Sequence, residues 1–424
     1  MKPVGTLEPV GLMATVQARL VLQALMRTGQ EARFVGGCVR DAVLGQEADD
    51  VDIATPLPPD EVMRRLKQDG IRVVPTGIRH GTVTAIRDGH AFEITTLRRD
   101  VETYGRHARV EFTDDWLEDA RRRDFTFNAL SLSSEGDLYD PFGGLADLSA
   151  GRVRFVGDAE ARIREDVLRI LRYFRFHARF GKGGLDDDAI AACAAQAPLL
   201  PTLSGERVRE ELLRLFATDR AVETWRLMLE RGIIQHLLPQ ATRIDTLAAL
   251  DRLEWMVGEA GPLTQLAALL PRGGEEGRAA ALAVADRMRL SNAQRDRLLV
   301  LCAPPLAVDA GLDVRGRRRA LQTVGPELFR DLLLLDTATR GIPAFEILES
   351  LAEAAAWRVI PFPLKGQDAV DRGVPQGPAV GRLLEAVEGW WAGRDYRPGR
   401  EDCLAELERR LAAPPDPSSP DASP

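Results

Sequence analysis

Two acidic residues one step apart, Asp50 and Asp52 in Asp50-Val51-Asp52-Ile53-Ala54-Thr55, are the groups in this chain best placed for chemistry. Strand alternation puts both carboxylates on one face. Side by side they repel unless a cation lies between them, and oxygen-only donors suit Mg²⁺. Just upstream stands Phe34-Val35-Gly36-Gly37-Cys38-Val39-Arg40-Asp41, which reads as a short apolar strand, two glycines and a turn or two of helix that Gly45 ends. Gly36 and Gly37 let backbone N–H groups approach a phosphate closely, and the helix points its positive end at the same place. Glycine pairs are common in turns and Asp-x-Asp occurs on many surface strands, so neither fragment is diagnostic alone. Their adjacency points to nucleotidyl transfer.

To position these groups the chain needs a small sheet, and its first part supplies one. Val16, Leu20, Val21 and Leu25 give helical spacing over Thr15–Met26, after a loose leader at 1–12. Pro56-Leu57-Pro58-Pro59 is a turn, and Asp60 is suited to cap a helix from Glu61 to Gln68. Three β-rich runs follow, Arg72–Pro75, Thr82–Arg87 and Ala91–Thr96, the last two joined by Asp88-Gly89, a strong hairpin signal. Glu93 in the third run is either a solvent-facing strand residue or a carboxylate beside the aspartates. Asp100–Phe112 is polar and reads as a mobile loop, followed by a charged helix over Trp116–Arg123. Near residue 150 the strand signals fade, and amphipathic helices run to about 412. Ile163–Phe180 reads as one long helix with Asp166, Arg169 and Arg172 off its apolar stripe. The segment Gly261–Gly277 is loop-rich, Ser291 and Gln294 form a capping box, and Pro378 opens a helix. Residues 413–424 have the composition of a disordered tail.

At 424 residues the chain exceeds one ordinary core, and 45% hydrophobic with 28% charged residues is a globular composition. No apolar run is long enough to span a bilayer, and no leader of the secretory kind opens the sequence. The scattered Cys38, Cys193, Cys302 and Cys403 lack metal spacing and imply reduced thiols, hence a cytoplasmic address. The five histidines include no His-Asp pair, which argues against a second metal centre of the phosphohydrolase kind. A net charge of −8 argues against nonspecific wrapping of nucleic acid, yet arginines cluster at 121–123 and between 162 and 179.

In their order these pieces resemble the class II CCA-adding tRNA nucleotidyltransferases and bacterial poly(A) polymerases of the DNA polymerase β superfamily. Five motifs occur in register: Gly36-Gly37-x-Val39-Arg40-Asp41 with Asp50-x-Asp52; His80-Gly81-Thr82-Val83; Phe92-Glu93-Ile94-Thr95-Thr96; Arg122-Arg123-Asp124-Phe125-Thr126-x-Asn128-Ala129; and Glu165-Asp166-x-x-Arg169. A weaker sixth is Ser204-x-Glu206-Arg207. The resemblance implies an α+β fold, with a mixed-sheet catalytic head at 13–150. A helical neck at 151–215 would carry the base template, and an all-helical body and tail at 216–412 would bind tRNA. It further implies that Asp50 and Asp52 hold two Mg²⁺ ions, with Glu93 as an assisting third catalytic carboxylate. Gly36, Gly37 and Arg40 would hold the triphosphate, Arg123 would reach phosphate, Asp124 would accept from the ribose 2′-hydroxyl, and Asn128 would belong to the same nucleotide site. The partners implied are CTP, ATP and the tRNA 3′ end, with no membrane and no obligate protein partner.

Base choice would fall to Asp166 and Arg169. Cytosine and adenine each set an exocyclic amino donor beside a ring-nitrogen acceptor, which a carboxylate and a guanidinium match. Uracil and guanine reverse that order, at a cost of about 1–3 kcal/mol for each buried group left unpaired. At i and i+3 the two side chains are helix neighbours, and a plain surface ion pair is the competing structural explanation. Arg172 and Arg175 extend the same basic face. In the family the loop matching Asp100–Phe112 helps switch from C to A, with Asp100, Tyr104 and Arg106 as candidates here. Poly(A) tailing with ATP alone and a catalytically inactive RNA-binding relative are the other readings. The loop and the lack of a basic terminal tail favour CCA addition, and intact Asp50, Asp52 and Arg123 speak against inactivity.

Overall fold

The computed structural model describes residues 1–27, 29–48, 50–104, 107–182 and 185–412, with side chains throughout except in 100–110. The chain packs as two compact units: Met1–Thr242 with Asp286–Leu290, and Arg243–Ala285 with Ser291 onward.

The first unit holds the strands. In chain order they are β1 (Gly5–Thr6), β2 (Arg33–Val35), β3 (Val51–Thr55), β4 (Arg72–Gly77), β5 (Thr82–Arg87), β6 (His90–Thr96), β7 (Arg98–Tyr104), β8 (His107–Phe112), β9 (Ser131–Ser133) and β10 (Asp137–Tyr139). Among the described residues eight of them form one mixed sheet in the order β1-β10-β9-β2-β3-β6-β5-β4, and β7 pairs with β8 alone. β3 lies in the interior of the sheet, antiparallel to β2 and parallel to β6, which sets Asp52 directly beside Glu93. Its other residues are buried, as a strand covered on both faces requires. Asp88 and Gly89, both at positive φ, make the tight turn between β5 and β6 that the sequence signals.

The helices of this unit are α1 (Val16–Met26), α2 (Gly37–Val43), α3 (Pro59–Gln68), α4 (Trp116–Arg121), α5 (Gly144–Ala150), α6 (Ala159–Glu165), α7 (Leu168–Phe180), α8 (Asp187–Gln196), α9 (Gly205–Phe216) and α10 (Ala221–Glu230). Thr15 caps α1 by accepting from the Ala18 N–H, and Asp115 caps α4. An aromatic cluster joins α7 to the stretch after α4. Phe125 stacks on Phe127, and both meet Phe176 edge-on, while Phe155 stacks on Tyr173. Among the described residues the second unit is helical, with a core around Trp391, Val387, Cys403 and Leu407. There Ser291 and Gln294 close their capping box, and Pro378 begins the helix Pro378–Ala392. No described helix is long and apolar enough to cross a membrane. The α+β class expected from the sequence is the one observed.

Several expected boundaries change. The 163–180 helix is two: α6 ends at Glu165, Asp166 is extended at φ −149°, and α7 starts at Leu168. Asp166 closes the C-terminal end of α6, and its Oδ1 accepts the Leu168 N–H at 3.1 Å, a local side-chain bond that competes with continuation of the old helix. The segment Asp100–Phe112 lies within the β7–β8 ribbon. Its sequence carries no apolar alternation, and Arg99 and Glu111 pair across it at 2.7 Å. Side chains at Asp100 and Tyr104, and the whole of Arg106, lie outside the described residues, as does the 413–424 tail. Residues 1–12 are not a loose leader, because Gly5 and Thr6 pair with Leu138 and Asp137. Asp60 sits in the first turn of α3 rather than at its cap, and Pro262–Ala268 is helical.

Phe125 is fully buried and precedes the site residues that follow by only a few positions. Phe125→Ala is expected to cost about 3–5 kcal/mol, read as a lower denaturant midpoint; an unchanged midpoint would remove this cluster as the clasp between α7 and the sheet.

Candidate active site

Asp52 projects from β3, half-buried, and Asp50 sits exposed in the bend just before the strand. Burial, and then the charges of Glu93 and Asp50, push the Asp52 carboxyl up to about 6, against the pull of Arg123. That is the electrostatic signature of carboxylates gathered without enough countercharge from the protein. An oxygen-only donor set fits a hard divalent cation. Among the described residues no group of three or more His, Cys, Asp or Glu side chains is arranged so that it could hold a metal ion.

The glycine turn sits against them. Gly36 has φ +75°, and a Cβ there would lie 3.0 Å from Arg123 Nη1 and 4.0 Å from Asp52 Oδ2. Its N–H is already given to the Leu130 carbonyl at 3.2 Å. Gly36 therefore serves by lacking a side chain, and Gly37 opens α2. Arg40, on α2, is buried: Nε and Nη2 bind Asp41 at 2.9 and 3.0 Å, and Nη1 binds Asn128 Oδ1 at 2.7 Å. Burial lowers its pKa, with Asp41 opposing.

The Arg122-Arg123-Asp124 triplet leaves α4 with its charges divided. Asp119, one turn earlier and buried, accepts from Arg122 Nε at 2.9 Å and from Arg123 Nη2 at 3.2 Å. It also accepts the Arg98 N–H at the foot of β7. Burial alone would raise Asp119, but Arg123 and Arg122 hold it below the usual carboxylate range. Asp124 accepts from Arg172 Nε at 2.6 Å and from Asn128 Nδ2 at 2.9 Å. It too is held low against burial, chiefly by Arg172. Glu211 of α9, buried, takes Arg175 Nε at 2.5 Å and reaches Arg172 Nη1 at 3.5 Å. Arg175 lies over the Phe176 ring, 4.0 Å from its centroid.

Asp166 and Arg169 do not pair with each other. Asp166 Oδ2 accepts from Arg207 of α9 at 2.6 Å. Arg169 donates to Glu165 Oε2 at 2.7 Å and to the Arg122 carbonyl at 3.0 Å. Each is oriented from behind, and the surface ion pair is not what forms.

One cavity of about 1100 Å³ gathers nearly all of these groups. Gly36, Gly37, Arg40, Asp50, Asp52, Arg123, Asp124, Asn128, Asp166, Arg169, Arg172 and Arg175 line it; Glu93 stands outside its wall, at the side of Asp52. Sequence reasoning missed Glu211 and Asp119, and gave Arg207 no partner. The signal available for Glu211 was its position one turn beyond Arg207 on an amphipathic helix, which says nothing about the partner.

Residues 32–154 match the family described as "Poly A polymerase head domain", and residues 184–244 match "Probable RNA and SrmB- binding site of polymerase A". The mitochondrial CCA tRNA nucleotidyltransferase 1 of Danio rerio is 33% identical over 389 residues, 89% of this chain and 87% of that protein. The CCA-adding enzyme of Geobacillus thermodenitrificans is 41% identical over 244 residues, 57% of this chain and 59% of that one. The crystal structure of the Bacillus stearothermophilus CCA-adding enzyme in complex with CTP superimposes with a TM-score of 0.71 at 30% identity, covering 93% of this chain and 97% of the other. With its fold, its cavity and these relatives in agreement, the chain belongs to the class II CCA-adding tRNA nucleotidyltransferase and bacterial poly(A) polymerase family.

Proposed function

We propose that this protein completes the 3′ end of tRNA, adding C, C and A from CTP and ATP without a nucleic-acid template, in the cytoplasm. The observation that carries the reading is the placement of Asp166 and Arg169, each held by a different partner and both facing the cavity that Asp50, Asp52 and Arg123 line. In this reading 13–150 is the catalytic head, 151–215 the neck with the base template, and 216–412 the tRNA-binding body and tail.

Asp50 and Asp52, with Glu93 beside them, would hold two Mg²⁺ ions. Bound there, the ions supply charge neutralisation for the triphosphate and a lowered pKa for the attacking 3′-hydroxyl. The chain's own groups do the rest. Arg123, already beside Asp52, is positioned for the phosphates, and Gly36 leaves room for them. Arg40 acts from its buried network, fixing Asn128 and through it Asp124. Asp124 receives the ribose. Asp166 accepts the amino group of cytosine or adenine while Arg169 donates to the ring nitrogen, because Arg207 and Glu165 fix the two side chains apart. Preset donors and acceptors need no reorganisation when the base arrives.

The deciding experiment gives the protein tRNA lacking its end, with CTP and ATP separately and together. Growth that stops after C, C and A supports this reading, and long adenylate tails would mean poly(A) synthesis instead. Asp52→Asn removes a charge at the cation site and is expected to reduce kcat by about 10³-fold or more, for CTP and ATP alike; near-normal turnover with Mg²⁺ would sink the metal assignment. Arg169→Ala should lower discrimination against UTP and GTP by about tenfold, in line with the removal of one buried hydrogen bond. Unaltered selectivity in competition assays would take the template role away from Arg169.

A further inference from the structure

Asp124, read above as the acceptor of the ribose 2′-hydroxyl, is buried and crowded with donors. Its Oδ1 takes the Phe125 N–H at 2.8 Å and Asn128 Nδ2 at 2.9 Å. Its Oδ2 takes Arg172 Nε at 2.6 Å, and Arg172 Nη2 lies against the same oxygen as an ion-pair contact at 2.5 Å. An ionised carboxylate offers about four lone-pair sites; three carry hydrogen bonds here, and the Arg172 guanidinium lies against the remaining one on Oδ2. A hydroxyl gains access to Asp124 Oδ2 when the donor lying over it withdraws.

Two of the donors are tied down. The Phe125 N–H belongs to a backbone whose next side chains are buried in the aromatic cluster, and Asn128 is pinned through its own Oδ1 by Arg40 at 2.7 Å. Arg172 is the donor free to move: its side chain is long and partly exposed, and it faces the cavity. A second carboxylate waits for it. Glu211 Oε1 lies 3.5 Å from Arg172 Nη1, just beyond a good hydrogen bond, while Oε2 is committed to Arg175.

We propose that Glu211 is a positioning residue for sugar selection. It takes over Arg172 when the 2′-hydroxyl of a ribonucleotide claims Asp124 Oδ2. Without that second carboxylate, Arg172 released from Asp124 would be a stranded guanidinium next to Arg175 and Phe176, a costly state. With it, one charge-assisted bond is exchanged for another. A deoxynucleotide makes no claim on Asp124 and starts no exchange, so the advantage goes to ribose alone. Glu211 is not part of the cavity wall and acts only through Arg172.

The inference rests on the reading of Asp124 as the ribose acceptor, and the test separates the two. Single-nucleotide addition to tRNA lacking its end is measured with CTP and with dCTP, and the ratio of their kcat/KM values is compared among variants. Glu211→Gln should lower that ratio about tenfold, the equivalent of one hydrogen bond to a charged group, with the change carried in KM for CTP. Glu211→Asp keeps the charge but draws the carboxylate back by one methylene, and it should lower the ratio less. This second variant also serves if Glu211→Gln does not fold. A merely structural role would depress both nucleotides together and leave the ratio unchanged, which would overturn the proposal. Asp124→Ala must lower the ratio as well. If it does while both Glu211 variants keep the wild-type ratio, the proposal fails and the ribose reading stands; if it does not, both fall.

Discussion

The active site depends on keeping several arginines out of water, each with a carboxylate assigned to it. A buried guanidinium without a partner costs several kcal/mol, and the structure answers that cost at each position. Asp41 serves Arg40, Asp124 serves Arg172, Glu211 serves Arg175, and Asp119 serves Arg122 and Arg123. The balance is not uniform. At Arg40 and Arg175 burial prevails and the pKa is lowered, whereas at Arg172 two carboxylates outweigh burial and raise it. Arg172 lies against two carboxylates, Asp124 and Glu211.

Charge matching of this kind also bears on the base-reading role proposed for Asp166 and Arg169. Asp166 and Arg169 lie close enough in sequence to neutralise each other, and had they done so each would have to be separated before a base could bind. The helix break at Asp166 turns its carboxylate towards Arg207, and Glu165 takes Arg169. The pair is held apart in advance, so binding energy is not spent on separating it.

What can be read in the sequence follows from what has a local signature. The strands β3 to β6 are legible because alternation and Asp88-Gly89 mark them, and the adjacency of Glu93 to Asp52 follows from a plausible strand order. The glycine turn is legible as a place of close approach, although Gly36 meets a guanidinium and spends its N–H on Leu130. The break at Asp166 is not legible: the apolar stripe continues through it, and an aspartate there looks like any polar helix residue until its side chain accepts the Leu168 N–H. The β7–β8 ribbon is hidden for the opposite reason, since its sequence shows no apolar period to mark it. Glu211 and Asp119 are hidden because a carboxylate's partner is a fact of tertiary structure.

The same arrangement resolves the conflict between an acidic protein and a polyanionic substrate. The chain carries a net charge of −8. Yet among the described residues ten arginines and six aspartates line the cavity, with no lysine or glutamate. The wall is therefore net positive, and the low-dielectric surroundings focus that field on anything entering. Arginine suits this better than lysine, because its planar fork binds a carboxylate on one edge while presenting further donors on another. A lysine paired with Asp119 or Asp124 would give up its point charge to that one partner. Arg123 and Arg172 keep donors in reserve, and under the proposed function this would let residues that hold the fold together also serve the reaction.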